Sequence, residues 1–345
     1  MEKYQKTYKL FPKIATKIGN TIWACQYGVP ILFCYDLNCN TIVLVKELPN
    51  VFSFSINYAS SMCCTEGKLF IVPCDAECIV VYDIEKESFS TIELPDIHQK
   101  GNLFRDVFVY DDYVICVPAR YHKVVKMHPN SLECEYSEES IDSLIEGATI
   151  FGDSIVAAQY GNSTLLDYNL HTNKMQTIEI SGMNSGFVGA YFDGVNNRLY
   201  GGSTQGQTLD VIDISKKKYM DEKATVICNP SVLRLNNYLL LYNDVSDTVN
   251  LCDEELNLIK NYSKRELGFD NTLMICKIKD DYEHFFCPDG LGYLDVNGKL
   301  MIESIDYDNS ISECFERSFK LSNIKYTLPE NHIVGLSVFI NALVK

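Results

Sequence analysis

The stretch "KLFIVPCDAECIVVYDIEKES", residues 68–88, has two short apolar runs on either side of a polar turn, and the second run ends in Tyr82-Asp83. Short runs rich in β-branched and aromatic residues, bounded by turn-forming residues, predict β-strands. The stretch also contains Cys74 and Cys78, which three residues separate. These cysteines could be half of a metal site, a redox pair, or part of a structural repeat. Copies of the same pattern along the chain favour the repeat.

The recurring feature is an apolar strand that ends at a turn-forming position before another strand begins. The seven positions are Asp36, Asp83, Met127, Asn169, Asp213, Asp253 and Asp295. Their successive separations are 47, 44, 42, 44, 40 and 42 residues. Earlier strands precede each position, so that every repeat holds four strands. Four-stranded units with a period of about 40 to 45 residues are typical of β-propeller blades.

Six of the seven anchor positions carry Asp or Asn, and turn chemistry explains this preference. The side chain of Asp or Asn accepts hydrogen bonds from backbone N–H groups two residues further on, which starts a tight turn. A ring of cation-binding carboxylates is the functional alternative. The turn chemistry alone accounts for these residues, so we interpret them as turn formers.

The chain resembles the seven-bladed β-propellers in the broad sense that covers WD-repeat, YVTN-type and quinoprotein-like propellers. Period and strand pattern carry this resemblance over residues 12–305, and "ACQYG" (24–28) nearly matches "AAQYG" (157–161). The Gly-His and Trp-Asp dipeptides of WD repeats and the full kelch pattern are absent, so no functional residues carry over. The resemblance implies an all-β fold, a seven-bladed β-propeller of four-stranded antiparallel blades. Residues 1–305 would form seven repeats of about 43 residues, and residues 306–345 a segment that packs on the propeller or closes it.

Charge and hydrophobicity narrow the partners and the location. The 345 residues include 46 acidic and 30 basic side chains, which gives a formal net charge of -16. Such a charge repels phosphate backbones and anionic lipids, so we expect no nucleic-acid partner and no membrane partner. The N-terminal sequence lacks a signal-peptide apolar core, and no window is long and apolar enough to span a bilayer. We therefore expect a cytoplasmic protein.

The fourteen cysteines are predicted to be reduced. Most lie inside apolar runs, where a free cysteine behaves as a small hydrophobic residue. A zinc site at Cys74 and Cys78 would need two more ligands at compatible spacing, and no C-x-x-C and no H-x-x-x-H is found in the sequence. We predict no bound metal and no cofactor.

The candidate binding surface comprises the loops that follow the second strand of each repeat. In a propeller these loops lie at one face with the loops that join successive blades, around the mouth of the central channel. Aromatic, guanidinium and amide groups there would resemble the composition of interface hot spots. The predicted ligand-binding residues are Tyr27, Arg120, Tyr121, His122, Tyr160, Gln205 and Asn243.

Catalytic signals are weak in this sequence. His122 follows Arg120 and Tyr121 in a predicted loop, and we interpret it as an exposed loop histidine, because no triad or paired-carboxylate motif supports a catalytic one. The nucleophile elbow, the phosphate loop and H-E-x-x-H are missing. The leading hypothesis is a non-enzymatic binding or scaffold propeller that recognises a protein, peptide or small ligand. The alternative is a hydrolase, lyase or carbohydrate-active enzyme whose catalytic residues are dispersed over several blades.

The cysteine interpretation yields a first test. A free-thiol titration of the denatured protein, purified without oxidant, should recover close to fourteen thiols per chain. Disulfides persist in oxidising compartments and are rare in the cytosol, so recovery of only a few thiols would contradict the cytoplasmic expectation.

Overall fold

The computed structural model describes residues 10–49, 58–97, 101–180, 182–183, 186–203, 208–224, 231–243, 247–267, 275–288, 290–305, 311 and 313–314. These residues form 28 strands, and each consecutive group of four forms one antiparallel sheet; the first and last of these sheets are joined edge to edge into eight strands. The predicted all-β architecture of seven four-stranded antiparallel sheets is confirmed.

The strands follow one another in chain order within every sheet. Sheet 1 contains β1 (Pro12–Ile18), β2 (Thr21–Gln26), β3 (Ile31–Asp36) and β4 (Thr41–Glu47), and sheet 2 contains β5 (Ala59–Thr65), β6 (Lys68–Pro73), β7 (Cys78–Asp83) and β8 (Ser88–Glu93). Sheet 3 contains β9 (Phe104–Tyr110), β10 (Tyr113–Pro118), β11 (Val125–Met127) and β12 (Cys134–Tyr136), and sheet 4 contains β13 (Ile145–Phe151), β14 (Ser154–Gln159), β15 (Thr164–Asn169) and β16 (Met175–Glu179). Sheet 5 contains β17 (Phe187–Asp193), β18 (Arg198–Ser203), β19 (Thr208–Asp213) and β20 (Lys218–Ala224). Sheet 6 contains β21 (Ser231–Leu235), β22 (Tyr238–Tyr242), β23 (Thr248–Cys252) and β24 (Leu258–Ser263), and sheet 7 contains β25 (Cys276–Lys279), β26 (His284–Cys287), β27 (Gly290–Leu294) and β28 (Leu300–Ser304).

The chain divides into two compact units. The terminal unit comprises residues 1–47 and 233–345, which hold sheets 1 and 7 and nearly all of sheet 6. The central unit comprises residues 48–232, which hold sheets 2 to 5. In the terminal unit, β1 pairs in parallel with β25, with Ala15 opposite Ile278 and Thr16 opposite Lys279. The first and last sheets are therefore neighbours. In the central unit, the first strands of successive sheets lie side by side from β5 to β17.

The second and third strands of each sheet supply most of the core. In β10, Val114 and Cys116 pack toward sheet 2, whereas Ile115 and Val117 pack toward sheet 4. Successive side chains of a strand point to opposite faces, so a strand that is buried on both faces reads as a continuous apolar run. This explains why Cys116 lies within such a run and is fully buried.

The turn chemistry predicted for the anchor positions is present in the structure. Asp36 Oδ1 accepts a hydrogen bond from Asn38 N at 2.7 Å, and Asp295 Oδ1 accepts one from Asn297 N at 2.8 Å. The other four Asp and Asn anchors accept equivalent backbone bonds, namely Asp83, Asn169, Asp213 and Asp253. Sheet 3 has Met127 at the anchor position. There the next residue provides the side-chain acceptor, because His128 Nδ1 accepts a hydrogen bond from Asn130 N at 3.3 Å.

The predicted role of residues 306–345 lies almost wholly outside the described residues. Within them, Ile311 is buried and packs in the same apolar cluster as Leu10 and Ile305. The four consecutive strands of sheet 7 come from residues 276–304, and β1, from the N-terminal part of the chain, pairs with its first strand, β25.

The Asp213 turn predicts a pH-dependent contribution to stability. Hydrogen bonds from the Lys216 and Ser215 side chains lower the Asp213 pKa to about 2, below its ordinary value. The ionised carboxylate therefore stabilises the fold above about pH 4 and loses that effect as the pH falls toward about 2. We expect Asp213→Ala to lower Tm at pH 6, with the difference from wild type shrinking between about pH 4 and pH 2.

Thermal unfolding followed by circular dichroism measures this difference. Glu255→Ala, which removes an exposed carboxylate from a different turn, is the matched control and should change Tm little. A Tm difference between Asp213→Ala and wild type that stays constant across the acid range would contradict the lowered pKa of Asp213.

Candidate functional site

In each of several sheets, the loop after the second strand and the segment that enters the first strand lie at the same end, which we call the loop end of that sheet. The loop after a second strand is bonded to the segment that enters the first strand of the same sheet, as Ala119 N bonds to Leu103 O at 2.8 Å. Tyr160 N bonds in the same way to Leu144 O at 2.8 Å, and Tyr27 N to Phe11 O at 2.7 Å. The remaining connections within each sheet lie at the opposite end, which we call the turn end.

The terminal unit carries two of the predicted binding residues. Tyr27 is half-buried; its ring meets the Phe11 ring edge-on at 5.4 Å, and Lys13 Nζ lies 5.9 Å from its ring centroid. Asn243 follows β22 at the loop end of sheet 6 and is also half-buried. Both are therefore partly accessible at the loop ends of their own sheets.

The central unit carries Arg120 and Tyr160 in exposed positions. Arg120 is held by backbone hydrogen bonds from its N–H to the Asn102 and Leu103 carbonyls. Tyr160 is 53% exposed, although its backbone is paired on both sides of the loop. The two loops follow the second strands of sheets 3 and 4, whose first strands are neighbours. These two residues are the best-placed of the predicted set.

Tyr121 belongs to the core, which corrects the expectation that its ring lines an exposed rim. The residue is 2% exposed, its ring lies 5.1 Å from the Phe104 ring, and its hydroxyl donates to the Pro95 carbonyl at 2.8 Å. Burial raises the pKa of its hydroxyl. A tyrosine at a loop position can fold back over the core, because its ring is apolar and only its tip needs a polar partner.

His122 and Gln205 complete the predicted set. His122 is half-buried, has a left-handed backbone with φ 67°, and stacks obliquely on Tyr121 with ring centroids 5.4 Å apart. Its carbonyl accepts a hydrogen bond from Ile141 N at 2.7 Å, so the loop backbone is tied down. Gln205 lies outside the described residues.

The first strands of five sheets have an irregular register close to their loop ends. The register shifts next to Lys13, Ser60, Arg105 and Glu146, and over residues 188–189 in sheet 5. A β-bulge leaves a residue unpaired and re-aims its side chain, which is common beside functional sites. The residues predicted from the sequence do not include Glu146. The available signal was that this repeat position varies among Lys, Ser, Arg, Glu and Val while the residue before it stays apolar.

Arg105 and Glu146 bring opposite charges together at neighbouring bulges. Arg105 Nη2 lies 4.0 Å from Glu146 Oε2, and the side chains are 42% and 17% exposed. Burial raises the pKa of Glu146, while the Arg105 charge and a hydrogen bond from Gly189 N oppose that rise only in part. The central unit therefore presents, near its loop end, a carboxylate whose negative charge Arg105 compensates only in part.

One group of possible metal ligands is found among the described residues, at the turn end of sheet 7. Ligand atoms of Asp281, Glu283 and His284 lie within 4.8 Å of one another. Lys17 Nζ already lies 3.3 Å from Asp281 Oδ2 and 3.2 Å from Glu283 Oε2. Burial alone would raise the pKa of Asp281, but bonds from His284 and Glu283 N lower it. This ion-pair network satisfies the cluster without a metal, and sequence spacing missed it because Lys17 comes from the other end of the chain.

The fold places the chain among the seven-bladed β-propellers. It is similar to virginiamycin B lyase from Staphylococcus aureus, with a TM-score of 0.60 at 13% identity, covering 82% of this chain and 92% of the lyase chain. A catalytically inactive variant of that lyase with quinupristin gives a TM-score of 0.62 at 12% identity, covering 84% of this chain and 94% of the other. The computationally designed Ika8 protein gives 0.53 at 11% identity, covering 86% and 97%.

These likenesses show the fold alone, because the identities are far below those that preserve function. No protein-family model matches the chain, and no curated protein matches it in sequence. Among the described residues, no helix has the length and apolar character required to cross a membrane.

The Glu146 environment yields a test of the site's electrostatics. A carboxyl whose pKa is raised in the folded state destabilises the fold when it is ionised, so stability falls as the pH rises through the folded pKa. We expect Glu146→Gln to raise Tm at pH 7 and to match wild type near pH 4, where the carboxyl is protonated. Thermal unfolding at several pH values measures this effect.

Glu135→Gln, at an exposed position of β12, is the matched control and should show no such pH-dependent gain. A lower Tm for Glu146→Gln at pH 7 would show instead that the ion pair with Arg105 is a net stabilising contact.

Proposed function

We propose that this protein is a non-enzymatic binding propeller that recognises a peptide, a protein segment or a small ligand through its loop end. The observation that carries the proposal is Tyr160, a large aromatic side chain that is 53% exposed on a loop with a fixed backbone. Aromatic rings held in place contribute contact area at a low cost in conformational entropy. Exposed aromatics of this kind are frequent among residues that dominate binding energy.

Hydrogen bonds on both sides of Tyr160 support a preformed site. Gly161 N bonds to Phe187 O at 3.0 Å, and Asn162 Nδ2 donates to Gln159 Oε1 at 2.9 Å. Gly161 has φ 70°, which glycine adopts without strain. A ligand that stacks on Tyr160 would therefore not have to order this loop first.

Arg120 supplies the second element of the proposed site. Its side chain is exposed at the loop end of sheet 3, next to the sheet that carries Tyr160. A guanidinium can bind a carboxylate through two parallel hydrogen bonds and can also stack on planar groups. The formal charge of -16 opposes a nucleic-acid ligand, so peptide carboxylates and carbonyls are the groups that we assign to Arg120.

As part of this proposal we assign the protein to the cytoplasm, on the expectation that its cysteines are reduced. The thirteen cysteines among the described residues are not joined to one another by disulfides, and nine of them are buried. The lack of disulfides among the described residues is what a reducing compartment would favour.

The test is selection of peptides from a random library displayed on phage, followed by affinity measurement with the purified chain. We expect Arg120→Ala/Tyr160→Ala to weaken the selected peptides by about tenfold or more, because truncation of a hot-spot residue commonly exceeds 1.4 kcal/mol. The Tm should stay within a few degrees, because exposed loop changes usually cost about 0.5 kcal/mol or less.

Lys174→Ala/Val195→Ala is the matched control, since it also removes a cation and a large exposed side chain, but at the turn ends of sheets 4 and 5. The control should bind as wild type does. Failure to enrich any peptide, or equal affinity for the double variant and wild type, would contradict the proposal. Mass spectrometry of each peptide after incubation adds a further check, because a cleaved or rearranged product would favour the enzyme alternative.

A further inference from the structure

A cavity of about 210 Å³ lies between sheets 4 and 5 of the central unit, away from the loop end. Ser154, at the start of β14, lines the cavity. Tyr160 follows the other end of the same strand, so the cavity lies at the opposite end of sheet 4 from Tyr160. The apolar part of the lining is Phe151, Val156, Leu165, Ile178 and Ile214. Two charged side chains, Asp167 and Lys217, complete it.

Asp167 is an exception to the repeat. It stands two residues before the anchor Asn169 in the third strand, and the same position in the other repeats is apolar or aromatic. Those equivalents are Cys34, Val81, Val125, Val211, Leu251 and Tyr293. Asp167 nevertheless keeps the burial of that position, with 8% exposure. A carboxylate has therefore replaced an apolar side chain on a surface where two sheets pack together.

The hydrogen bonding of Asp167 is incomplete. Its Oδ2 accepts from Gln176 Nε2 at 3.0 Å, but its buried Oδ1 has no hydrogen-bond partner among the described residues. A buried acceptor without a donor costs free energy, and the cost is larger for a charged group. Such a cost is often found at binding sites, where the ligand supplies the missing donor.

Lys217 places a positive charge beside the carboxylate. Its Nζ lies 3.8 Å from Asp167 Oδ2, beyond hydrogen-bond distance, and its side chain is 52% exposed. The ammonium is thus close enough to interact with an anionic group of a ligand, and it would repel a ligand that carries only a cation. Asp167 and Lys217 together offer one anionic and one cationic group next to an apolar cavity.

From this geometry we infer that the cavity binds a small zwitterion with an apolar body, that is, an α-amino acid with a branched aliphatic side chain. The α-ammonium group would donate to Asp167 Oδ1, the α-carboxylate would face Lys217, and the side chain would fill the apolar part. The size is suitable, because an apolar cavity of about 150 Å³ already accommodates benzene. This site is independent of the proposed peptide-binding loops.

The test compares three probes that differ only in their charged groups. L-Leucine carries both groups, 3-methylbutylamine lacks the carboxylate, and 4-methylpentanoate lacks the ammonium. Saturation-transfer NMR titrations with the full chain should show that L-leucine binds about tenfold tighter than either relative, as expected when one charge-assisted contact is lost. No detectable L-leucine binding, or equal binding of the amine, overturns the inference.

Variants of Asp167 separate a ligand-binding role from a structural one. Asp167→Val restores the residue type of the other repeats, so it should weaken L-leucine about tenfold or more and leave Tm equal or higher. Asp167→Asn, which keeps the shape and removes the charge, should also weaken binding. A lower Tm for Asp167→Val with unchanged L-leucine affinity would show that the carboxylate is structural and overturn the inference.

Lys217→Met should remove the preference for L-leucine over 3-methylbutylamine, because it deletes the cation and keeps most of the side-chain stem. Lys218→Met, one residue further along and exposed, is the matched control and should retain the preference. A preference that survives Lys217→Met overturns the zwitterion assignment. Peptide binding at the loop end should be unaffected by all of these variants, which keeps the two proposals distinguishable.

Discussion

Burial of both faces of a sheet is the constraint on which this structure depends. Sheet 3 packs Val114 and Cys116 on one side and Ile115 and Val117 on the other, so a single short strand serves two cores. Sheets 4 and 7 likewise contribute to two apolar clusters each. A sheet that is apolar on both faces cannot be stable alone and requires a neighbour on each side. The repeat follows from this requirement, because every unit must present the same two surfaces.

This constraint also determines where function can arise. Side chains in the middle strands are committed to packing, so the residues free to vary are those of the loops, the bulges and the turns. Arg120 and Tyr160 are in loops, and Arg105 and Glu146 are at bulges in first strands. Asp167 departs from this pattern, since it lies in a middle strand and its buried Oδ1 has no hydrogen-bond partner among the described residues. An unfavourable residue at a packing position is strong reason to look for a ligand.

The likeness to a lyase of the same fold does not decide between binding and catalysis. Propellers support many functions, and the residues that perform them are supplied by loops that differ from one protein to the next. Here the loop end of the central unit combines the exposed side chains of Tyr160 and Arg120 with the half-buried carboxylate of Glu146. We interpret this combination as suited to recognition, and Glu146 is one described group that an enzyme alternative could use.

The sequence by itself determined the all-β class, the seven repeats and the role of their anchors, because strand alternation, period and Asx-turn chemistry are local properties. It also indicated Arg120 and Tyr160 through their place after second strands. It was wrong about an exposed Tyr121, since the direction in which a loop aromatic folds depends on the core beneath it. The roles of Glu146 and Asp167 depend on the tertiary structure. A one-residue bulge directs the Glu146 carboxylate, and the packing of sheets 4 and 5 buries the Asp167 carboxylate. The contact of Lys17 with Asp281 likewise required the pairing of β1 with β25, because residues so distant along the chain are brought together by tertiary structure alone.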